Sequence, residues 1–387
     1  MNGSIQWISW VKHGVVFGYL IAMYMFLISM AVGAHLVTLF AKAYYRDEDF
    51  LPLEKVGTFL PLLILLLMPF LLLVDMTHPE RSYTMYYHWN WTATVAWGAY
   101  IMPLCVISYA LHSFYLFRPE MMVAVREGRP GAGFYRVLLR DRIEAGSAAE
   151  IRQRQQKAER LWANLTIVFS FLALIYVGMR LSAFKGRVMV HSLAMVFIFM
   201  SLAASSGTGF MILLGRLKTA IVPLTQPALI KRNRFLVDFG VILKYALVAQ
   251  LVIWVLYLIQ LNFTGTGGKL AAYIFLGGPR AMQFWILQVA IGLILPFALV
   301  LFQSLRENSL ASLVAGAATM LGVFFAVANL SIGSQLIPLT HLEWEKMAPE
   351  PFRTAFGIIV MVILFLLFLA SYKILPYETP VSQKSEA

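Results

Sequence analysis

The sequence is poor in cysteine and poor in charge. Its single cysteine, Cys105, lies inside an apolar run. One thiol excludes an internal disulfide, a four-cysteine iron–sulfur cluster and a covalently attached haem. No set of His, Cys and carboxylate residues has metal-site spacing. Charged residues make up only 13% of the 387, about half of their share in a soluble domain. The net charge of +12 does not mark a nucleic-acid binder. Most of the basic residues lie in connections between apolar runs, where they report membrane topology.

What the chain has in quantity is apolar sequence, 60% of its residues. Several runs exceed the ~20 residues that cross a bilayer as a helix. The fold class is therefore an all-α polytopic membrane protein. Nine spans are expected, near 14–41, 57–75, 91–117, 161–182, 188–215, 236–261, 281–303, 309–329 and 354–375. A tenth span stays open, but Leu270–Leu276 is too short to be it. The first run is too long for a cleaved signal peptide and counts as a span. Lys and Arg concentrate on the side that carries the C-terminus and the long connection 118–160. That side is expected to be cytoplasmic, with the N-terminus outside. The polar end Tyr377–Ala387 reads as a disordered cytoplasmic tail.

Ionisable groups inside spans are costly and mark functional candidates. They fall into two layers. The outer layer holds His13, Asp75, His78, Glu80, Arg81, His88, Arg180 and His191, with Trp10, Trp89, Trp91 and Trp97 among them. An ordinary interfacial belt accounts for Trp89 and for a snorkelling Arg180. It accounts less well for four ionisable groups within Asp75–Arg81. Asp75 and His78 share a face if the helix reaches His78, and Pro79 then stops it. The inner layer holds His35, His112, Asp238 and Lys244. Lys244 can snorkel or pair with Asp238, or the four can line a proton half-channel from the cytoplasm. His35 and His112 lie at similar depth and form one conceivable haem-ligand pair, and each also fits a core histidine that hydrogen-bonds a neighbouring helix. The small residues of Ser201–Gly209 predict close helix packing, with a locally unwound helix lining a cavity as the alternative.

These residues resemble the NrfD/PsrC family. Ile21–Leu27 followed by Ala31-Val32-Gly33-Ala34 is similar to its first-helix signature. Gly57–Leu73, Asp75 and Pro79-Glu80-Arg81 resemble its Asp-x-x-x-Pro-Glu-Arg motif. Asn90 and Trp97-Gly98 resemble the opening of its third helix, and Phe284-Trp285 through Gly292–Pro296 a later one. Gly322–Pro338 is similar to the longer members, found in sulfite-reductase-associated, high-molecular-weight-cytochrome and quinone-reductase complexes. It departs from them at Val327 and Ala328, where an arginine is expected.

The resemblance implies two four-helix bundles, here 1–182 and 188–329, followed by an outer segment, a C-terminal helix and a tail over 330–387. It implies a prokaryotic inner-membrane subunit with no haem or iron–sulfur cluster of its own, not catalytic alone. Menaquinone or ubiquinone would bind in the first bundle near the outer face. Electrons would pass to or from a ferredoxin-like iron–sulfur subunit or a multihaem cytochrome docked outside. By that carry-over the acting residues are His13, Asp75, His78, Glu80 and Arg81. A quinol loses two electrons and two protons, so His13, His78 and Asp75 can accept protons. Arg81 can steady Asp75 or Glu80. Tyr83, Trp91 and Trp97 can wall the quinone head. Two other readings stay open: a proton-coupled transporter, and an anchor carrying b-type haem.

Overall fold

The structure, a computed structural model, describes residues 18–45, 48–76, 78–88, 90–129, 131–140, 143–184, 186–221, 226–337 and 351–377. His13, Trp10 and Trp89 lie outside the described residues, so their expected roles find no structural counterpart here.

The described chain is helical and contains no strand. The long elements are α1 (Tyr19–Tyr45), α2 (Leu51–Asp75), α3 (Thr94–Arg126), α5 (Ala148–Ser182), α6 (Ala194–Ile221) and α7 (Gln226–Phe263). They continue with α9 (Gln283–Leu301), α11 (Ser309–Leu336) and α12 (Pro351–Ile374). These nine are long and apolar enough to span a bilayer. Three short helices connect them: α4 (Ala132–Leu139), α8 (Gly265–Leu276) and α10 (Gln303–Glu307). The expected all-α polytopic architecture is present, and α8 is the segment too short to span.

Helices α1, α2, α3 and α5 pack in a ring, and α6, α7, α9 and α11 form a second. The rings meet through α1, α5, α6 and α11, and α12 lies against α2. Lipid tails are as apolar as leucine, so close packing and buried polar contacts must hold such helices together. Small residues make the approach possible. A Cβ on Gly33 would lie 1.9 Å from the Ala203 carbonyl oxygen, and one on Gly207 2.2 Å from the Ala34 nitrogen. Ser201–Gly209 is therefore a packing surface, and α6 runs through it unbroken. Gly292 and Gly322 do the same for α9 and α11. The first part of α9, Gln283–Ile294, is wound as a π-helix. It brings Gln288 to Asn329 at 2.9 Å inside the second ring.

Several helices run beyond their expected ends. Ser147 caps α5, accepting from the Glu150 N–H, and the helix starts well before residue 161. Helix α2 starts at Leu51, with Pro52 in its first turn. Tyr377 is no part of a free tail. It is buried, with its ring 5.2 Å from that of Phe117.

Candidate functional site

At one end of the first ring, α2 stops at Asp75. Met76 is extended (φ −71°, ψ 139°), and His78 adopts φ −132° before Pro79 opens a short 3₁₀ stretch, Pro79–Tyr86. The proline ring disfavours helical backbone at the residue before it. The helix therefore never reaches His78, and the expected shared face of Asp75 and His78 does not form. Asp75 turns inward, 9% exposed, and accepts from Arg353 Nη1 at 3.2 Å. His78 pairs with Glu80 at 3.0 Å in the open, both more than 60% exposed. Arg81 takes no carboxylate partner among the described residues, so the cation expected of it beside Asp75 is supplied by α12 instead.

The Asp75–Arg353 pair sits where neither helix dipole helps. A carboxylate at a helix C-terminus meets partial negative charge, and Arg353 in the first turn of α12 meets partial positive charge. Each group offsets the other's cost. The aromatic residues close by are exposed. Tyr83 stacks edge-on with Tyr87 at 6.3 Å, and Trp91 with Trp97 at 5.4 Å. Trp97 Nε1 donates to the Trp91 carbonyl at 3.1 Å. Asn90 fixes the turn by accepting from the Thr92 N–H and hydroxyl.

Arg180 does not snorkel. It is buried, its guanidinium lies 5.3 Å from the Tyr24 ring centre, and its Nη1 has no hydrogen-bond partner. Gly98 leaves the space that Tyr176 fills beside it; a Cβ there would come within 2.2 Å of the Tyr176 hydroxyl. In the second ring, Arg280 donates to the Ala328 carbonyl at 3.2 Å. A guanidinium thus reaches the helix position where the sequence lacks its expected arginine.

At the opposite end of the first ring lies a polar cluster that sequence reasoning only half found. Lys42, in the last turn of α1, donates to Glu54 at 2.6 Å and to Glu159 at 2.8 Å. Each helix end favours the charge it carries: a cation at the C-terminus of α1, a carboxylate at the N-terminus of α2. Lys55, fully buried, pairs with Glu120 at 3.1 Å and donates to the Pro376 carbonyl at 2.9 Å. Arg152 also bonds Glu120.

His35 and His112 stand above this cluster, rings 5.4 Å apart and edge-on. Pro61 has no N–H to offer the carbonyl four residues back, so the Gly57 carbonyl is free to bond His35 Nδ1 at 3.2 Å. His35 Nε2 meets the Thr166 hydroxyl at 2.8 Å, which also reaches the Ala163 carbonyl. A neutral ring that keeps its proton on Nδ1 donates to the Gly57 carbonyl and receives the Thr166 proton at Nε2. With both nitrogens so engaged, His35 is not a free haem ligand, and the histidine pair leaves no room for a macrocycle between its rings.

His112 Nε2 lies 3.9 Å from Glu54, and neither of its nitrogens has a hydrogen-bond partner. Thr58, Ser113, Glu120 Oε2 and Gln155 nearby in the sequence of these helices also carry unpaired buried atoms. Buried polar groups of this kind are generally satisfied by internal water. Asp238 and Lys244 do not join the cluster. Tyr45 donates to Asp238, and Lys244 lies 4.8 Å from the Tyr245 ring centre. They are not paired with each other. Among the described residues no group of three or more His, Cys, Asp or Glu could hold a metal ion.

A family profile described as polysulphide reductase, NrfD, matches residues 10–338. The chain belongs to the NrfD family. No curated protein matches it. NrfD proteins are quinone-interacting membrane subunits of polysulphide- and quinone-type reductase complexes, usually in the prokaryotic inner membrane. They generally partner with iron–sulfur or cytochrome subunits. The match contains Asp75, both histidines and the Lys42 cluster. It ends before α12, so Arg353 lies outside the part of the chain that defines the NrfD family.

Proposed function

We propose that this NrfD chain binds quinone at the Asp75 end of the first ring and exchanges electrons between the quinone pool and an iron–sulfur or cytochrome subunit docked there. That end would face outside, as the distribution of basic residues suggests. The observation that carries this reading is the buried carboxylate of Asp75, kept at the unfavourable end of its helix and matched by an arginine from another helix. A group held at such cost is a candidate for function.

In this reading Asp75 accepts a hydroxyl proton as quinol is oxidised, or returns one as quinone is reduced, and His78 with Glu80 relays it to water. Arg353 holds the carboxylate in place. Arg81, Tyr83, Trp91 and Trp97 complete the mouth, and His13, outside the described residues, is assigned to it by the family resemblance alone. Arg180 offers a spare buried N–H that a quinone carbonyl could accept. The Lys42 end supports proton movement from the other side. Glu54, Glu159, His112 and His35 form a ladder of groups that bind protons, with unpaired atoms where water would bridge them.

The test is turnover of quinol by the assembled complex. Asp75→Asn, with normal membrane insertion, is expected to lower kcat/KM by about 10²-fold, the usual scale for a positioned proton acceptor. Unchanged turnover would overturn the assignment.

A further inference from the structure

A furrow runs between α1 and α5, and its lining changes character along its length. At the Lys42 end it opens into a cavity of about 700 Å³ whose α5 wall carries Arg152, Gln156, Glu159, Arg160 and Asn164. Arg152, Gln156, Arg160 and Asn164 are spaced four residues apart and so form one stripe of donors on a helix face, while Glu159 is held by Lys42. Further along, the same helix presents Ile167, Phe171 and Leu174 to a second, almost wholly apolar cavity of about 480 Å³. Helix α1 follows the same gradient, from Lys42 through Leu39 to Gly33. The cavities share Leu39, Ala43 and Ile167, so they are one furrow, closed at the back by Ala203 and Ala204 of α6. Ile167 to Leu174 spans ~10 Å of helix rise. Phe40 and Phe171 are exposed on its flanks, so it opens sideways to the bilayer.

The charges at the polar end are not evenly committed. Lys42 is held between two carboxylates, and Arg152 Nη2 by Glu120. Arg160 is exposed and has no ion pair or hydrogen bond among the described residues. Arg152 Nε is buried without a partner. One uncompensated guanidinium at the rim, a row of further donors and an apolar slot below match a single amphiphile with an anionic head. Basic pockets between spans on the cytoplasmic side bind such headgroups.

We propose that this furrow is a binding site for an anionic glycerophospholipid, with its phosphodiester at Arg160 and one acyl chain in the slot between α1, α5 and α6. Gln156 and Asn164 supply hydrogen bonds to the glycerol and ester oxygens. The site lies across the first ring from the Asp75 mouth, so a quinone bound at that mouth does not occupy it.

The experiment is native mass spectrometry of the full chain in detergent, titrated with phosphatidylglycerol, phosphatidylcholine or a long-chain quinone. Wild type is expected to retain one phosphatidylglycerol, which phosphatidylcholine does not displace. Arg160→Gln is expected to weaken it about fivefold, equivalent to about 1 kcal/mol. Ala43→Phe, an exposed position at the junction of head and tail, is expected to abolish retention while leaving thermal stability intact. Equal retention of phosphatidylglycerol and phosphatidylcholine would overturn the proposal. So would unchanged affinity in Arg160→Gln, or displacement of the lipid by quinone.

Discussion

Replacing Lys42 by Met keeps the length of the stem and removes the charge that two glutamates share. Glu54 is 2% exposed and Glu159 9%, while Lys42 is 39% exposed. At an effective dielectric of 20, each contact near 2.7 Å is worth ~6 kcal/mol of Coulomb energy before desolvation is counted. Desolvation removes most of that, and breaking a buried pair typically costs 3–5 kcal/mol. Because Lys42 is partly wet, the lower end applies, and Lys42→Met is expected to destabilise the fold by about 3 kcal/mol. Most of that loss is two carboxylates left facing each other. Adding Glu54→Gln therefore ought to restore about 1–2 kcal/mol, a coupling that a double-mutant cycle measures. The assay is reversible unfolding in mixed micelles, followed by tryptophan fluorescence. A neutral Lys42→Met, or a double variant showing no coupling, would refute an ionised Glu54–Lys42–Glu159 triad.

Other consequences are open to direct measurement. Arg353→Gln removes the guanidinium that contacts Asp75 at its helix C-terminus; it is expected to weaken quinol-site inhibitor binding by about tenfold, with rescue by Arg353→Lys, read by inhibitor fluorescence. Gly33→Leu drives a side chain into the Ala203 carbonyl; overpacking there is expected to cost about 3 kcal/mol or more, seen as loss of monodisperse protein on size exclusion. Burial raises the Tyr377 phenol above its ordinary value. Its stabilising contribution is thus full below pH ~10, the unfolded-state value, and is lost as pH rises through the higher folded value. Tyr377→Phe is expected to flatten the alkaline arm of a stability–pH curve; an unchanged arm would contradict that account.

The spans were readable because length and apolarity suffice to define them, and the packing role of Ser201–Gly209 followed from its small residues. The Lys42 cluster was not readable for the same reason that topology was. Glu54, Lys55, Glu120 and Glu159 sit at the charged margins of apolar runs, where a sequence reads as connection. The helices continue through those margins, and the charges find partners from other helices. Two of the four inner candidates, His35 and His112, are together; Asp238 and Lys244 belong to α7 in the other ring. At the Asp75 end, sequence spacing suggested Arg81 as the cation. The proline that ends α2 redirects the chain, and the partner comes from a helix 278 residues away in sequence. Nothing local marks such a pairing. Arg180 resembles an interfacial anchor until Tyr24 is placed against it.

Quinone at the Asp75 end is tested most directly by photolabelling the assembled complex with an azidoquinone and mapping the modified peptides. Label is expected within Leu71–Trp97 and at Arg353 or its neighbours, reduced by Asp75→Asn. Label concentrated instead on Leu39–Ala43 and Asn164–Phe171 would contradict it and move the quinone to the furrow at the opposite end.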